Sequence, residues 1–431
     1  MPSISKSPLD APPRIAWKAS RRGGNRRRWN AAFIAVVASA ATLVGTAGPA
    51  AASGGGHEGA HEHAFSQVNL VSDLPEVHPV VLDPAVKNPW GIAFGPNTPL
   101  WVSNNFNPAS DCGSPGCVPK AETLLTQVTL YKGANGHDPF VKVPLEVTAS
   151  GPTGIVFNPT SSFKVTQGGV TAPANFLFNE FAPNAQGTGP VAKITGWSNA
   201  SKPTPTTTAT KATKDGAFYS GIALVPAKDD ESGPRLLAAD AQNGTIDVYN
   251  GKFKLLTLKH GAFVDPTHNA TPMAPYNVAY LHGRVYVAYA PATENGTGDS
   301  ALSVFTRDGK FIKRLVTGAP LADPWGLAIA PEDWGDFGGA LLVGNVDDGK
   351  INAFNPRTGH FLGTIKDAKG NPLVNPGLWG IEFGNGVIGT PQTLIFAAGI
   401  GSAANTFMDG YTHGLVGLIE PVHHDNDGDD D

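Results

Sequence analysis

A histidine-rich stretch near the start of the chain is the first candidate for metal chemistry. Residues 57–61 read HEGAH, which matches the HExxH pattern, in which two histidines bind zinc and the glutamate acts as a general base. That chemistry needs a helix to place both histidines on one face, whereas this copy lies in the glycine-rich sequence GGGHEGAHEH. We therefore expect no zinc protease here, and at most weak metal binding that also involves His63.

The acidic stretch at residues 425–431, DNDGDDD, is a second candidate. It has the spacing of the first half of a calcium-binding loop, but no distal glutamate follows to complete the cage of oxygen ligands. Solvated, disordered carboxylates are the better interpretation. Neither stretch predicts a cofactor or a defined metal site.

The two cysteines, Cys112 and Cys117, lie in the short loop sequence DCGSPGC. In an oxidising compartment this spacing closes a small disulfide-bonded loop, and two free loop thiols are the alternative. A lone pair of cysteines does not complete a tetrahedral zinc site, because two further ligands are needed. We expect the disulfide.

Six similar phrases carry the remaining candidate side chains. Each has a turn residue, then a glycine or asparagine that we call the anchor, then an apolar strand. The phrases are NPWGIAF (88–94), GPTGIVF (151–157), YSGIALV (219–225), PYNVAYL (275–281), DPWGLAI (323–329) and GLWGIEF (377–383). Their anchors are Gly91, Gly154, Gly221, Asn277, Gly326 and Gly380. Glycine suits a position that needs positive φ or a close backbone approach.

The residues directly before the anchors are rich in aromatics. They are Trp90, Thr153, Ser220, Tyr276, Trp325 and Trp379. If the six phrases converge on one axis, these side chains form a rim around one mouth of a central channel. Such a rim suits stacking against sugar rings or other flat, weakly polar ligands. The alternative is that the aromatic rings plug the axis and pack between neighbouring strands.

One carboxylate breaks an otherwise apolar series two residues after the anchors. The series is Ala93, Val156, Ala223, Ala279, Ala328 and Glu382. An ionised carboxylate near the axis is costly without a partner, channel water or a cation. Glu382 is therefore the first functional candidate, and a glutamate satisfied by water or backbone is the alternative.

The elements that position these residues recur along the chain at intervals of 49 to 67 residues. Successive anchors are 63, 67, 56, 49 and 54 residues apart, and each phrase is followed by a second and a third apolar strand. Fourth strands are predicted at KLLTLK (254–259) and FIKRLV (311–316). Four strands at this period indicate an all-β protein, a six-bladed β-propeller with four-stranded antiparallel blades. Because the sixth unit lacks a fourth strand, we expect SQVNLVSD (66–73) to supply it.

Composition and termini complete the expected organisation. Of 431 residues, 52 are Gly and 37 are Pro and only 16% are charged, which suits short strands joined by turns. Residues 1–52 have the basic, apolar and small-residue order of a signal peptide, with a retained membrane anchor as the alternative. We expect a flexible segment at 53–64, the propeller at 65–420 and a disordered acidic tail at 421–431.

Cleavage after residue 52 would leave 23 basic and 35 acidic residues, a net charge of −12. So acidic a domain repels phosphate backbones, which argues against nucleic acid as a partner. We expect an exported monomer, periplasmic or extracellular, without a membrane span after cleavage.

The repeated pattern resembles NHL-repeat propellers. Taken whole, the chain is similar to an uncharacterised bacterial exported family whose members often carry PEP-CTERM sorting tails. The likeness covers residues 65 to about 420 and is carried by FSQVNLVSDLP (65–75), NPWGIAF, DPWGLAIAP (323–331) and LWGIEFGNG (378–386). No hydrophobic sorting helix stands before residue 431. The resemblance implies fold and export, and no activity.

Two functions fit these features. The first is a binding or scaffold propeller that recognises a small molecule, glycan or protein over the rim. The second is a cation-dependent lactonase or esterase-like hydrolase, in which Glu382 and calcium would act in the channel. The residues that end the second strands, Asn104, Asn179, Asp240 and Asn345, are the candidates for further ligands, although such residues mostly cap turns.

Overall fold

A computed structural model of the chain describes residues 64–105, 125–183, 190–228, 233–267, 273–292, 299–401 and 412–422. The predicted signal peptide, the HEGAH stretch, Cys112, Cys117 and the DNDGDDD stretch lie outside the described residues. The described strands form seven sheets, of which six are the antiparallel blades of a propeller, with the short strand Val81–Leu82 added in parallel at the edge of one, and the seventh is a two-stranded hairpin. The fold predicted from the repeats is confirmed.

The strands follow one another in chain order. Ahead of the first blade come β1 (Phe65–Ser72), a short 3-10 helix (Pro75–Val77) and β2 (Val81–Leu82). Blade one holds β3 (Pro89–Ala93), β4 (Leu100–Asn104), β5 (Leu125–Lys132) and β6 (Val141–Ser150). Blade two holds β7 (Ile155–Phe157), β10 (Phe176–Pro183), β11 (Pro190–Trp197) and β12 (Ala209–Asp215), with the hairpin β8 (Lys164–Gln167) and β9 (Val170–Pro173) inserted.

The other four blades repeat this order from the axis outward. Blade three holds β13 (Tyr219–Val225), β14 (Arg235–Asp240) and β15 (Thr245–Asn250). Blade four holds β16 (Met273–Leu281), β17 (Arg284–Pro291), β18 (Ala301–Phe305) and β19 (Phe311–Thr317). Blade five holds β20 (Pro324–Ile329), a 3-10 helix (Gly335–Phe337), β21 (Leu341–Asn345), β22 (Ile351–Phe354) and β23 (Phe361–Thr364). Blade six holds β24 (Leu378–Phe383), β25 (Leu394–Ile400) and β26 (His413–Pro421), with β1 outside them.

The first strand of each blade lies next to the axis, and these inner strands touch their neighbours around a ring. Strand β24 packs against β3, so the sixth blade meets the first. Apolar side chains fill the space between blades. Along β3, for example, Ile92 joins a cluster with blade six, and the next residue, Ala93, joins a cluster with blade two. Alternation along each inner strand thus buries both faces of every blade.

Glycine is selected at the anchors by close approach, not by positive φ. A Cβ on Gly380 would lie 2.7 Å from the carbonyl oxygen of Trp90, and one on Gly326 would lie 2.6 Å from that of Trp379. Each anchor therefore meets the backbone of the next inner strand. The fourth anchor solves the contact differently, since Asn277 Nδ2 donates a hydrogen bond to the carbonyl oxygen of Trp325 at 2.7 Å.

The N-terminal strand closes the ring. Strand β1 pairs antiparallel with β26, in a register that runs from Phe65 opposite Pro421 to Ser72 opposite Leu415. The hydroxyl of Ser72 also donates to the carbonyl oxygen of Gly414 at 2.6 Å. The predicted outer strand of blade six is therefore confirmed.

The predicted fourth strand at residues 254–259 is wrong, whereas the one at 311–316 is confirmed as β19. The segment pairs with β15 over three residues only. Leu255 forms an isolated bridge to Tyr249, the carbonyl oxygen of Lys254 accepts from the N–H of Asn250, and the N–H of Leu256 donates to the carbonyl oxygen of Val248. The chain then leaves blade three because its next residues are held elsewhere. The backbone N–H of Phe263 donates to the carbonyl oxygen of Gly309 in blade four at 2.8 Å, and the Phe263 ring packs 5.8 Å from that of Phe305.

Candidate channel site

The inner strands surround a cavity of about 580 Å³ on the propeller axis. All six residues that stand two positions after the anchors line it: Ala93, Val156, Ala223, Ala279, Ala328 and Glu382. The small side chains leave the space open. Because a strand rises about 3.3 Å per residue, the channel between the residues before the anchors and those three positions after them is roughly 13 Å long.

Aromatic rings fill one end of this channel. Trp90 stacks on Trp379 with ring centroids 3.8 Å apart and an interplanar angle of 18°. Trp325 meets Trp379 edge-on at 6.1 Å, and Tyr276 lies 5.8 Å from it. Together with Val346 these residues form one cluster, which we call the aromatic floor, and Trp325 lines the cavity from it.

The structure brings the predicted rim residues together, but in a buried arrangement. Trp379 is 1% exposed, Trp325 is 5% exposed and Trp90 is 9% exposed. Thr153 and Ser220 are buried as well; the Thr153 hydroxyl donates to the carbonyl oxygen of Tyr219 at 2.7 Å. This burial favours packing over an open stacking surface, so ligand binding by the whole rim stays a prediction.

The other end of the channel carries aromatic rings that keep part of their surface. Three residues after the anchors stand Phe94, Phe157, Leu224, Tyr280, Ile329 and Phe383, all half-buried and all in the cavity lining. We call this ring the mouth. Sequence reasoning missed it, although its signal was present, because four of six aligned positions are aromatic.

Glu382 is the only acidic or basic residue among the described residues that line the cavity. It stands on β24 opposite Ile395 of β25, and the neighbouring strand β3 contributes Ile92 and Phe94 to the same lining. None of the described residues hydrogen-bonds or ion-pairs with its carboxyl. Desolvation raises its pKa from the ordinary value of 4.5 to about 8, because a partly apolar surrounding penalises the charged form.

Glu382 is half-buried, and a buried carboxyl elsewhere, Glu180 at 3% exposed, shows which contacts Glu382 lacks. Glu180 accepts hydrogen bonds from the backbone N–H of Ser150 at 2.9 Å, from the Thr195 hydroxyl at 2.5 Å and from the Thr208 hydroxyl at 2.6 Å. These contacts tie blade one to blade two, which is a structural role. Glu382 faces the cavity instead, and an unpartnered carboxyl with a raised pKa in a cleft is a candidate functional group.

The polar residues that end the second strands do not join Glu382. Asn104, Asn179, Asp240 and Asn345 are buried outside the cavity lining. Asn179 Nδ2 donates to the carbonyl oxygen of Gly221 at 2.8 Å, and Asp240 accepts hydrogen bonds from Lys214 and Asn243. Within the described part of the chain, no three His, Cys, Asp or Glu side chains lie close enough to hold a metal ion.

The raised pKa of Glu382 predicts a pH-dependent stability. The folded protein holds this proton up to about pH 8, whereas the unfolded chain releases it near pH 4.5. The folded state therefore binds more protons between these values, and stability must fall as pH rises through that window. Because Glu382 is only half-buried, solvent screens its charge, and we expect Glu382→Gln to gain on the order of 2 kcal/mol over the native protein between pH 5 and pH 8.

Urea unfolding of both proteins at several pH values measures this difference. Glutamine does not titrate, and the two proteins share every other titrating group. The difference between their free energies of unfolding therefore reports on Glu382 alone. Free energies of unfolding that run parallel from pH 5 to pH 9 would show that Glu382 is solvated like a surface carboxylate.

Fold and site together define a six-bladed β-propeller whose channel is filled by aromatics at one end and lined by one carboxyl. The described residues include no helix of the length and apolar character that a membrane crossing requires. No protein-family model matches the sequence.

Three uncharacterized proteins of Acanthamoeba polyphaga mimivirus are similar to this chain. One is 34% identical over 175 residues, which is 38% of this chain and 31% of its own length. The alignment thus spans about a third of that relative. The second is 28% identical over 314 residues, 69% of each protein, and the third is 27% identical over 376 residues, 82% of this chain and 85% of the relative.

Among solved structures, an α-L-arabinofuranosidase of Fusarium graminearum in complex with arabinobiose is similar, with a TM-score of 0.50 and 11% identity. The match covers 84% of this chain and 98% of that one. At this identity the likeness shows the propeller fold alone.

The expected membership of a bacterial exported family is wrong, since the three relatives found by sequence are viral. The phrases that suggested it have a physical explanation in the fold. Glycine at five of the six anchors follows from the close approach of neighbouring inner strands, and the apolar residues after it follow from packing between blades. Phrases such as NPWGIAF therefore indicate the propeller architecture and do not by themselves identify a bacterial family.

Proposed function

We propose that the protein is a binding module that takes a small amphipathic molecule into its central channel, where Glu382 binds the polar group of that molecule. One observation carries this proposal: a cavity of about 580 Å³ is lined by apolar side chains and by one carboxyl that no described residue satisfies. Ligand pockets commonly enclose 300–1,000 Å³ and combine an apolar lining with a few polar groups that fix orientation.

The two ends of the channel support different parts of the binding. The half-buried rings of the mouth offer apolar surface to a ligand that enters, and Trp325 on the aromatic floor offers a ring at the far end. Of the predicted rim, Trp325 is the residue that we expect a ligand to touch. Export, to the periplasm or the cell exterior, remains part of the proposal and rests on residues 1–52 only.

The residues present do not favour the hydrolase alternative. Calcium takes six to eight oxygen ligands, whereas Glu382 is the sole carboxylate among the described lining residues. The other polar side chains of the described lining are Asn277 and Tyr280. The amide of Asn277 is already engaged, since it donates to the carbonyl oxygen of Trp325 and accepts from the N–H of Val278. A cation held by Glu382 would need ligands that this lining does not supply.

A channel-filling substitution tests the proposal. Ala279→Phe places a ring in the cavity, and the matched control Ala212→Phe adds the same ring on the outermost strand of blade two. We expect ligands found by a thermal-shift screen of small amphiphiles to lose at least tenfold in affinity for the first variant, because one ring occupies much of the space a ligand needs. Their affinity for the control should be unchanged.

Isothermal titration of the best screening hits against both variants gives the measurement. Equal binding to Ala279→Phe and to the native protein would place the ligand outside the channel. A screen without hits on native protein at millimolar concentration would likewise overturn the proposal.

A further inference from the structure

We infer that the channel selects organic cations, above all substituted ammonium groups of amphipathic molecules. This inference rests on the proposed function, because it names the class of ligand that the same cavity takes. It is carried by the inventory of charges and aromatic rings around the cavity.

The charge inventory excludes anions. Among the described residues that line the channel there is no Lys, Arg or His, and Glu382 is the only acid. An anionic ligand would therefore meet a carboxyl and no basic group, whereas a cation would meet a counter-ion. Outside the channel the chain also carries an excess of acidic residues, −5 overall, and such a field raises the local concentration of cations.

The aromatic inventory favours the same class. Phe94, Phe157, Tyr280 and Phe383 stand at the mouth with part of each side chain accessible. The negative face of an aromatic ring attracts a cation, and this attraction is stronger when the cation leaves bulk water. The aromatic rings and the carboxyl line the same cavity. One ligand can therefore place its ammonium group against the carboxyl and its apolar substituents against the rings.

The titration of Glu382 couples binding to protons. The empty channel keeps the carboxyl mainly neutral at pH 7, since burial raises its pKa to about 8. The described elements packed against Glu382 bring no other charged group to it. Strand β25 places Ile395 opposite it and β3 contributes Ile92 and Phe94, and Tyr280 is the other titratable side chain of the described lining. A bound cation stabilises the carboxylate, so binding at pH 7 releases about one proton.

A pair of probes with the same shape separates a cation from a neutral ligand. Choline carries a trimethylammonium group, and 3,3-dimethylbutan-1-ol replaces its nitrogen by carbon. We expect choline to bind more tightly, and its dissociation constant to fall about tenfold from pH 7 to pH 9, because the carboxylate fraction of Glu382 rises by about that factor. The neutral alcohol should show no such gain.

Calorimetric titrations of the native protein measure both probes, and buffers of different ionisation enthalpy measure the released proton. In Glu382→Gln, choline should lose its pH dependence and at least tenfold in affinity at pH 9, whereas the alcohol should bind as before. A thermal melt confirms that the variant is folded, and the comparison of probes on native protein needs no variant.

The outcomes distinguish this inference from the proposal beneath it. If the alcohol binds as tightly as choline at both pH values, the channel binds small molecules without selecting cations, and only the inference fails. If choline binds with no dependence on pH and equally well to Glu382→Gln, the cation does not use this carboxyl and the inference is overturned. If ligands bind Ala279→Phe as tightly as they bind Ala212→Phe, the ligand does not occupy the channel and the proposed function itself is overturned.

Discussion

Replacing Phe65, Leu70 and Val71 together by alanine is expected to remove most of the stability of the whole propeller. All three side chains are buried on β1, the strand that completes blade six from the other end of the chain. Truncating a buried Phe or Leu costs about 2–5 kcal/mol each, so the triple variant should lose roughly 6–10 kcal/mol. A folded domain is typically stable by about 5–15 kcal/mol.

The three residues act at two different junctions. Phe65 packs its ring 4.6 Å from that of Trp334 and 5.9 Å from that of Phe337, so it joins blade six to blade five. Leu70 and Val71 belong to the cluster between blade six and blade one. Losing them weakens both contacts that hold the last blade in the ring, which is why the effect should spread beyond one strand.

Chemical denaturation followed by tryptophan fluorescence measures the loss. The matched control lies on the same strand: Val68 is 43% exposed, so Val68→Ala should change the free energy of unfolding by less than about 0.5 kcal/mol. A triple variant that unfolds at nearly the native denaturant concentration would mean that these three side chains do not hold the sixth blade in the ring.

The blade repeat was predictable from sequence because each blade obeys the same local rules. Gly380 and Gly326 have no room for a Cβ against the backbone of the next inner strand. Glycine therefore recurs in each blade whose inner strand approaches its neighbour in this way. The position of Glu382 in the channel was predictable for the same reason, since it is two residues from an aligned anchor. The closing role of residues 66–73 followed from counting strands.

What could not be predicted depends on contacts between distant segments. Residues 254–259 have a strand-like pattern, but Phe263 is bound to Gly309 in the next blade and draws the chain away from blade three. Whether the tryptophans before the anchors leave an opening depends on how Trp90 and Trp379 stack, and a one-dimensional pattern does not encode that. The pKa of Glu382 likewise depends on the absence of a partner within the described lining.

Trp379→Ala is the second substitution expected to have a large effect, about 3–5 kcal/mol. Its ring is 1% exposed and stands at the centre of the aromatic floor, against Trp90, Trp325 and Tyr276. Its indole N–H also donates to Asn88 Oδ1 at 3.1 Å, which links blade six to the start of blade one. Removing the ring leaves a large cavity on the axis and a buried amide oxygen without this donor.

Two further variants separate the packing of the ring from its hydrogen bond and from general effects. Trp379→Phe keeps a ring in the floor and loses the donor, so it should cost less than the alanine variant. Val80→Ala, at a side chain that is 59% exposed, should cost less than about 0.5 kcal/mol. A Trp379→Ala protein that unfolds within about 1 kcal/mol of native would show that the floor is loosely packed. The rings before the anchors would then be free to meet a ligand, as the rim interpretation requires.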